Sequence, residues 1–426
     1  MQKYRPFKET GLDWMGEVPF HWRKDKISRM VEFSASGGTP TSSNEGYYNG
    51  DIKWVQTGEL NDCDIFDSEK KLTEEGFQAS STKIFPAETL LIAMYGATIG
   101  KLGILKTDAT SNQACCALFF NDKKWNTKYF FYYFLNIREK LIFSSYGGGQ
   151  PNISQEVIKQ ESLFVPLLPE QTAITNYLDQ ATSNIDKVIS TKQIQLEKLE
   201  QYKRSKIYEC VTKGLNPNPK LKPSGIDWIG DIPEGWKAER IKDVVQLRTE
   251  KTSEKSQYKD YLELEDLEQW TGNILGFRDT TEVSSDVTIF KKGDILFGKL
   301  RPYLAKYWLA ECDGKCTGEI IAFNCLKIQN VFFKYFIGST KFIELCTAVS
   351  YGAKMPRVDW TRQIAYFYVA FPNKDEQIDI ANYLNNFCLK IGKEKKIIEK
   401  QIEKLKLYRK CLIHECVTGK RKIIEE

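Results

Sequence analysis

Histidine is nearly missing from this 426-residue chain, which has only His21 and His414. Histidine-based acid–base catalysis and histidine-ligated metal chemistry therefore have little to work with. Long apolar runs are missing too. The longest, such as Ala365 to Phe371, are of core-strand length, well short of the ~18–20 residues that a membrane-spanning helix requires. Met1-Gln-Lys-Tyr-Arg-Pro has no apolar stretch behind its charges, so no secretory signal is expected and the chain is expected to be cytoplasmic. The eleven cysteines are odd in number and scattered from Cys63 to Cys416 without a framework, which favours reduced thiols. Nor does one sign of charge dominate. A balance of 61 basic against 56 acidic residues, net +5, permits a nucleic-acid surface without requiring one.

Hydrophobic residues make up 42% and charged residues 27%, which excludes a disordered or collagen-like chain. At roughly 150 residues per domain, the length implies two or three domains. A repeat decides how they are arranged. Thr10-Gly-Leu-Asp-Trp-Met-Gly-Glu-Val-Pro-Phe-His-Trp22 returns as Ser224-Gly-Ile-Asp-Trp-Ile-Gly-Asp-Ile-Pro-Glu-Gly-Trp236, with Gly, Asp, Trp, Gly, Pro and Trp at the same spacing. Between about Lys24 and Ser80, and between Lys237 and Ser285, the copies share almost nothing. Similarity resumes at Phe85–Leu91 against Phe290–Leu296, then at the aromatic stretches Phe130–Phe134 and Phe332–Phe336. Ser145-Tyr-Gly147 with Pro151 matches Ser350-Tyr-Gly352 with Pro356. Each half thus couples a common scaffold to a variable surface, as two modules would that do one job on different targets.

Each half closes in a helical segment. Glu170-Gln171, Ile174 and Tyr177-Leu178 align with Glu376-Gln377, Ile380 and Tyr383-Leu384, and Glu209-Cys-Val-Thr212 is repeated as Glu415-Cys-Val-Thr418. Ile185, Val188, Ile189, Leu196, Leu199 and Tyr202 fall at helical spacing, as do Ile391, Ile398, Ile402, Leu405 and Leu412. Each segment reads as one long amphipathic helix, begun near Pro169 or Pro372 and ended near Gly214 or Gly419. A helix from Glu170 to Lys213 is ~65 Å long at ~1.5 Å per residue, and a stripe that long needs a partner. Antiparallel packing of the two helices as a coiled coil would give approximate two-fold symmetry. The alternative is two helices each packed on its own domain. Thr89–Ala93, Asp294–Phe297 and Leu163–Val165 look like buried strands, and the aromatic stretches look like core helices rather than a platform for stacking bases.

Enzyme motifs fail one by one. Gly96-Ala-Thr-Ile-Gly-Lys101 has three residues between its glycines where a phosphate loop has four, and Leu102 stands where Ser or Thr would follow the Lys. Tyr146-Gly-Gly-Gly-Gln150 does not open a helix after a strand, so it is no dinucleotide fingerprint. Cys411-x-x-His414-x-Cys416 is the best metal candidate, but its repeat mate holds Ser205, Tyr208 and Cys210. Cys312-x-x-x-Cys316 lacks a second ligand pair. There is no Asn/Asp-Pro-Pro-aromatic run of the kind that amino-methyltransferases use. The chain is expected to hold no metal and no catalytic residue.

Recognition remains. Polar loops offer Thr39, Thr41 and Ser42, then Tyr95, Thr98 and Lys101, then Gln150 and Asn152. The second half offers Lys299, Arg301, Tyr303, Lys306, Lys354 and Arg357. Arg reads guanine bidentately, Gln and Asn read adenine, and Lys and Thr hold phosphates. These fourteen residues are the expected DNA contacts.

Together these features resemble the specificity subunit of a type I restriction-modification system, over essentially the full chain. The resemblance rests on the duplicated Gly-x-Asp-Trp-x-Gly-x-x-Pro-x-x-Trp motif, Ser36-Gly-Gly-Thr-Pro-Thr41, Tyr95-Gly-Ala-Thr-Ile-Gly100 and Gly148-Gly-Gln-Pro-Asn-Ile-Ser154. Lys299-Leu-Arg-Pro-Tyr-Leu304, Met355-Pro-Arg-Val358 and the Glu-Gln pairs ahead of the long helices belong to it as well. It implies an α+β fold in which two mixed α/β target recognition domains with twisted sheets, 1–168 and 215–374, alternate with helical spacers, 169–214 and 375–426. It further implies a chain with no cofactor of its own, in which each domain reads half of an asymmetric, split sequence in double-stranded DNA. Two modification subunits carrying S-adenosylmethionine would dock on it, and two restriction subunits using ATP and Mg would join them, with no membrane involved. A helical protein-interaction scaffold, or an orphan copy without a nuclease partner, is the alternative. The second helix departs from the pattern with Pro-Asn-Lys-Asp-Glu-Gln in place of Pro-Glu-Gln, which leaves its start open by a few residues.

Overall fold

The short apolar runs become the strands of mixed sheets, and the computed structural model describes them within residues 6–12, 14–144, 152–253, 258–279 and 287–423. The chain divides into two units, Met1–Thr191 with Gln401–Glu426, and Lys192–Lys400. In the first unit the main sheet runs in the order Val31–Ser36, Cys115–Phe120, Leu90–Ala93, Leu102–Leu105, Cys63–Ile65. Its pairs are antiparallel except the last, where Cys63–Ile65 lies parallel to Leu102–Leu105. Every residue of Leu90–Ala93 and Leu102–Leu105 is buried, so the sheet needs cover on both faces. The helix Thr127–Ser144 supplies part of it, burying the aromatic run Tyr129–Phe134. Phe130 stacks on Phe120 of the sheet with ring centroids 4.1 Å apart. The aromatic stretch is core, as its density implied.

The second unit repeats the plan with fewer strands: Val245–Leu247, Ile320–Cys325, Ile295–Gly298 and Tyr307–Leu309, all antiparallel. Along the outer edge a bridge from Gln269 to Lys306 replaces the parallel fifth strand, and the Trp270 N–H donates to the Ala305 carbonyl at 2.9 Å. The aromatic helix is broken here into Asn330–Ile337 and Thr340–Ala348. The break falls at Gly338, where a Cβ would lie 2.3 Å from the Tyr307 ring, so only glycine lets the two approach.

The long helices span Leu168–Lys213 and Lys374–Val417. Pro169 sits in the first turn, where its missing N–H costs nothing. The second helix starts at Lys374 because Asn373 Oδ1 accepts the Glu376 N–H at 3.0 Å and caps it, so the extra Asn-Lys-Asp of the sequence is absorbed at the cap and first turn. Gly214 (φ +76°) and Gly419 (φ +69°) follow the helix ends in the left-handed conformation.

Both units draw on both helices, and within each unit the two helical segments run antiparallel. In the first, Tyr177 pairs with Arg421 at 2.6 Å and Asp186 with Arg409 at 3.1 Å. In the second, Glu200 meets Lys395 at 2.9 Å, and Tyr202 meets Phe387 edge-on at 5.5 Å. Ile185, Ile189, Ile391, Ile398, Ile402 and Leu412 are buried as expected. Val188 is not; at 44% exposure it stands outside the seam, which is narrower there than the sequence pattern implied, while Tyr202, 54% exposed, reaches Phe387 from the seam's edge. At about 100° per residue, a seam centred on Ile185 and Ile189 turns Val188 toward solvent.

The duplicated motifs meet in one joint, built the same way in each unit. The buried Trp22 donates its indole N–H to Glu170 Oε1 at 3.1 Å, and His21 Nε2 lies 2.8 Å from Glu170 Oε2. Trp236 donates to Glu376 Oε1, also at 3.1 Å. Gly419 closes on the Trp22 ring and Gly214 on the Trp236 ring, with room for a Cβ only 3.1 Å and 3.3 Å away. The end of one long helix thus closes the joint made by the start of the other.

Two buried glutamines fasten the helix starts. Gln171 accepts the Asn126 N–H and donates to the Pro166 carbonyl, both at 2.9 Å. Gln377 does the same with Gln329 and Pro372 at 2.8 Å. Gln377→Leu is expected to orphan both backbone groups and destabilise the protein by ~2–4 kcal/mol in urea unfolding. Gln377→Glu, which keeps the acceptor and loses the donor, is expected to differ from the leucine variant in the same titration.

Candidate nucleic-acid interface

In the first unit the expected contacts lie on two loops with firmly set bases. Gly37 and Gly38 follow the strand Val31–Ser36 and run against other backbone. A Cβ on Gly37 would sit 1.9 Å from the Ser111 carbonyl oxygen, and one on Gly38 would sit 2.4 Å from the Thr82 nitrogen. The Trp54 indole N–H donates to the Gly38 carbonyl at 2.9 Å and the Tyr48 hydroxyl to the Pro40 carbonyl at 3.0 Å. Beyond this anchor Thr39, Thr41 and Ser42 are exposed, with the Thr39 hydroxyl bonded to Gln113.

The second loop joins Leu90–Ala93 to Leu102–Leu105 and carries Tyr95, Thr98 and Lys101. Gly96 (φ +82°) and Gly100 (φ +75°) turn it. Tyr95 forms a backbone bridge with the exposed Asn152, and the Ile153 N–H donates to the Met94 carbonyl at 2.8 Å. Tyr95 and Asn152 are therefore brought together, while Gln150 lies outside the described residues. Lys101 is engaged internally, 3.3 Å from Asp62, a carboxylate that Arg138 also grips while donating to the Gly100 carbonyl at 2.8 Å. Sequence reasoning missed Asp62 and Arg138. They are far apart in sequence and have no counterpart in a motif.

The second unit repeats the joint with other side chains. The Lys299–Lys306 hairpin is held by Leu300 bridging Arg357, by the Arg301 N–H to the Pro356 carbonyl at 2.7 Å, and by the Val358 N–H to the Lys299 carbonyl at 3.0 Å. Arg301 (φ +50°) and Ala305 (φ +47°) are both left-handed, a conformation that costs a non-glycine residue and that rigid surroundings must impose. Tyr351 also bridges Arg357, which brings Arg301, Tyr303, Lys354 and Arg357 onto two abutting loops.

Their side chains are not equally free. Arg357 is bidentate to Glu319, both contacts at 3.1 Å, and those hydrogen bonds hold its guanidinium above the ordinary arginine pKa. Lys306 donates to the Leu264 carbonyl at 2.7 Å, and burial pulls its ammonium below the ordinary lysine value. Lys299, Arg301, Tyr303 and Lys354 have no side-chain hydrogen bond or ion pair among the described residues. Sequence reasoning also passed over Tyr351 and Met355, 56% and 54% exposed on the same loop. In the repeat frame Met355 stands where Gln150 stands in the first copy, and that match was the available signal.

Among the described residues, no group of three or more His, Cys, Asp and Glu side chains is placed to hold a metal ion. His414 instead faces Asn136 at 3.2 Å, and burial, with Lys420 beside it, lowers its pKa. No helix among the described residues is long and apolar enough to cross a membrane.

Comparison with known proteins agrees with this architecture. The family model for the type I restriction modification DNA specificity domain matches residues 19–198 and again 233–404. The chain is 28% identical over 258 residues to the type I restriction enzyme MjaIX specificity subunit of Methanocaldococcus jannaschii, spanning 58% of this chain and 57% of that relative. It is 24% identical over 342 residues to the MjaVIII specificity subunit of the same organism, covering 76% of each chain. The EcoDI specificity subunit of Escherichia coli is 25% identical over 276 residues, covering 59% of this chain and 60% of that one. The fold of this chain is shared with a chain from a solved structure concerned with complex assembly and conformational transition of the type I R-M system, with a TM-score of 0.74 at 13% identity over 94% of this chain and 98% of that one. The HsdS subunit from Thermoanaerobacter tengcongensis gives a TM-score of 0.55 at 12% identity over 97% and 100%. With both copies of the repeat matched, over most of its length, this chain belongs to the type I restriction-modification DNA specificity family.

Proposed function

We propose that this chain is the non-catalytic specificity subunit of a type I restriction-modification complex and that each unit reads one half of an asymmetric, bipartite duplex target. The observation that carries this reading is the repeated loop joint. Tyr95 against Asn152 in one unit and Leu300 against Arg357 in the other share a backbone arrangement but present different side chains. One frame with two sets of side chains suits two unlike half-sites. The relatives support it, being named specificity subunits of type I restriction enzymes.

The helices act as the spacer in this proposal. Half-sites about one DNA turn apart (roughly 34 Å) or more require a rigid connection, which a loop would blur and a helix supplies. Two modification subunits, binding S-adenosylmethionine and methylating adenine, dock on the chain. Two restriction subunits, using ATP and Mg, complete the assembly.

Methylation mapping in a host expressing the chain with its modification subunit is expected to show adenine marks in one split motif with unlike halves. A continuous or palindromic motif would refute two unlike readers. Arg301, exposed and without a side-chain partner among the described residues, is expected to read guanine. Arg301→Ala should then weaken binding by ~1–3 kcal/mol and relax one base position. A uniform loss over all sequences, with a shallower salt dependence, would make it a phosphate contact instead.

A further inference from the structure

We infer that Met355 reads the C5 methyl group of a thymine in the half-site addressed by the second unit, an inference that rests on the DNA-reading function proposed above. Met355 lies near the tip of a short loop. The Tyr351 N–H donates to the Arg357 carbonyl at 3.0 Å and the Arg357 N–H returns to the Tyr351 carbonyl at 2.9 Å, closing the five residues between them. Gly352, at φ +97°, turns that loop. Pro356 fastens it to the Arg301 hairpin, so its tip is set before any ligand arrives.

Single exposed apolar residues are ordinary on a protein surface, but this one has unusual company. Met355 (54% exposed), Tyr351 (56%) and Tyr303 (44%) share two joined loops with Lys299, Arg301 and Lys354, cations with no side-chain partner among the described residues. Exposed apolar side chains that share their loops with such cations suit a polyanion that also displays apolar groups. Duplex DNA is such a ligand, and in its major groove only thymine offers one, the C5 methyl. An unbranched, polarizable thioether fits against a methyl group. Against the polar edges of the other bases it would remove water and return no hydrogen bond.

The neighbouring polar group leaves this role to Met355. Arg357 already spends its fork on Glu319, so Arg301 is left for polar reading and the tip for apolar reading. Gln150, the repeat counterpart of Met355, is an adenine-reading type. The two copies would then differ at this position in the base they select.

The test uses the chain assembled with its modification subunit and duplexes carrying the mapped methylation motif, in which each thymine in turn is replaced by uracil. The wild-type complex is expected to bind one such duplex roughly 3- to 10-fold more weakly, the size of one lost methyl contact. Met355→Ala should bind the thymine and uracil duplexes equally, while Met355→Leu should keep most of the difference. Met355 is exposed, so neither substitution removes core packing. No uracil effect at any position in the wild type, or an undiminished effect in Met355→Ala, would overturn the inference. Failure of the wild-type complex to prefer the mapped duplex over a random one would instead overturn the DNA-reading function itself.

Discussion

A tryptophan held by a carboxylate at its nitrogen and by a glycine against its ring is the contact on which each unit is built. Burying an indole N–H without an acceptor costs free energy, and burying a carboxylate without donors costs more. Glu170, 8% exposed, meets both needs for Trp22 and takes a further contact from His21. Glu376, half-buried, accepts the Trp236 indole N–H in the same way, with Gly235 where His21 stands in the first copy. At Gly419 a Cβ would clash with Pro19 at 2.3 Å and press on the Trp22 ring at 3.1 Å, and at Gly214 one would crowd Glu376 and the Trp236 ring, both glycines lying in the left-handed region. This accounts for the parts of the repeat that match best, the Trp-bearing motif, the Glu-Gln pair and the residues leading into the terminal glycine. They are the components of one joint, made twice.

That joint leaves the rest of each unit free to vary. The sheet strands and their aromatic helix need only hydrophobic bulk, and the second unit tolerates a missing edge strand and a broken helix. The loops at the strand ends are constrained in their backbones, by Gly37 and Gly38 in one unit and by left-handed Arg301 and Ala305 in the other. Among their side chains Lys299, Arg301, Tyr303 and Lys354 have no partner among the described residues, while Lys101, Lys306 and Arg357 are held. Constraint on backbone with freedom in side chain is what a surface that must read different sequences requires.

Much of the fold was legible in the sequence, because repetition marked out the segments that form the joint, although not the contact between them. The long helices, the core aromatic stretches and the buried strands all followed from spacing and apolar content. Other features depended on contacts remote in sequence. The breaking of the second aromatic helix depends on Tyr307 reaching Gly338, and no local pattern announces it. Val188 fits an apolar stripe by spacing yet points to solvent, because the seam is only as wide as its partner. The basic positions show the same limit. Lys101, Lys306 and Arg357 share residue types with Lys299, Arg301 and Lys354, and only the structure reveals that Asp62, the Leu264 carbonyl and Glu319 already hold the first three.

The route of the chain through the two joints also sets an order of assembly during synthesis. Trp22 and Tyr129 lie early in the sequence, yet Gly419 and the Val417 carbonyl, 3.3 Å from the Tyr129 hydroxyl, are made only much later. The unit Lys192–Lys400 has all of its residues before then. The unit begun first is therefore the one completed last, and until Gly419 is made its tryptophan pocket stays unclosed.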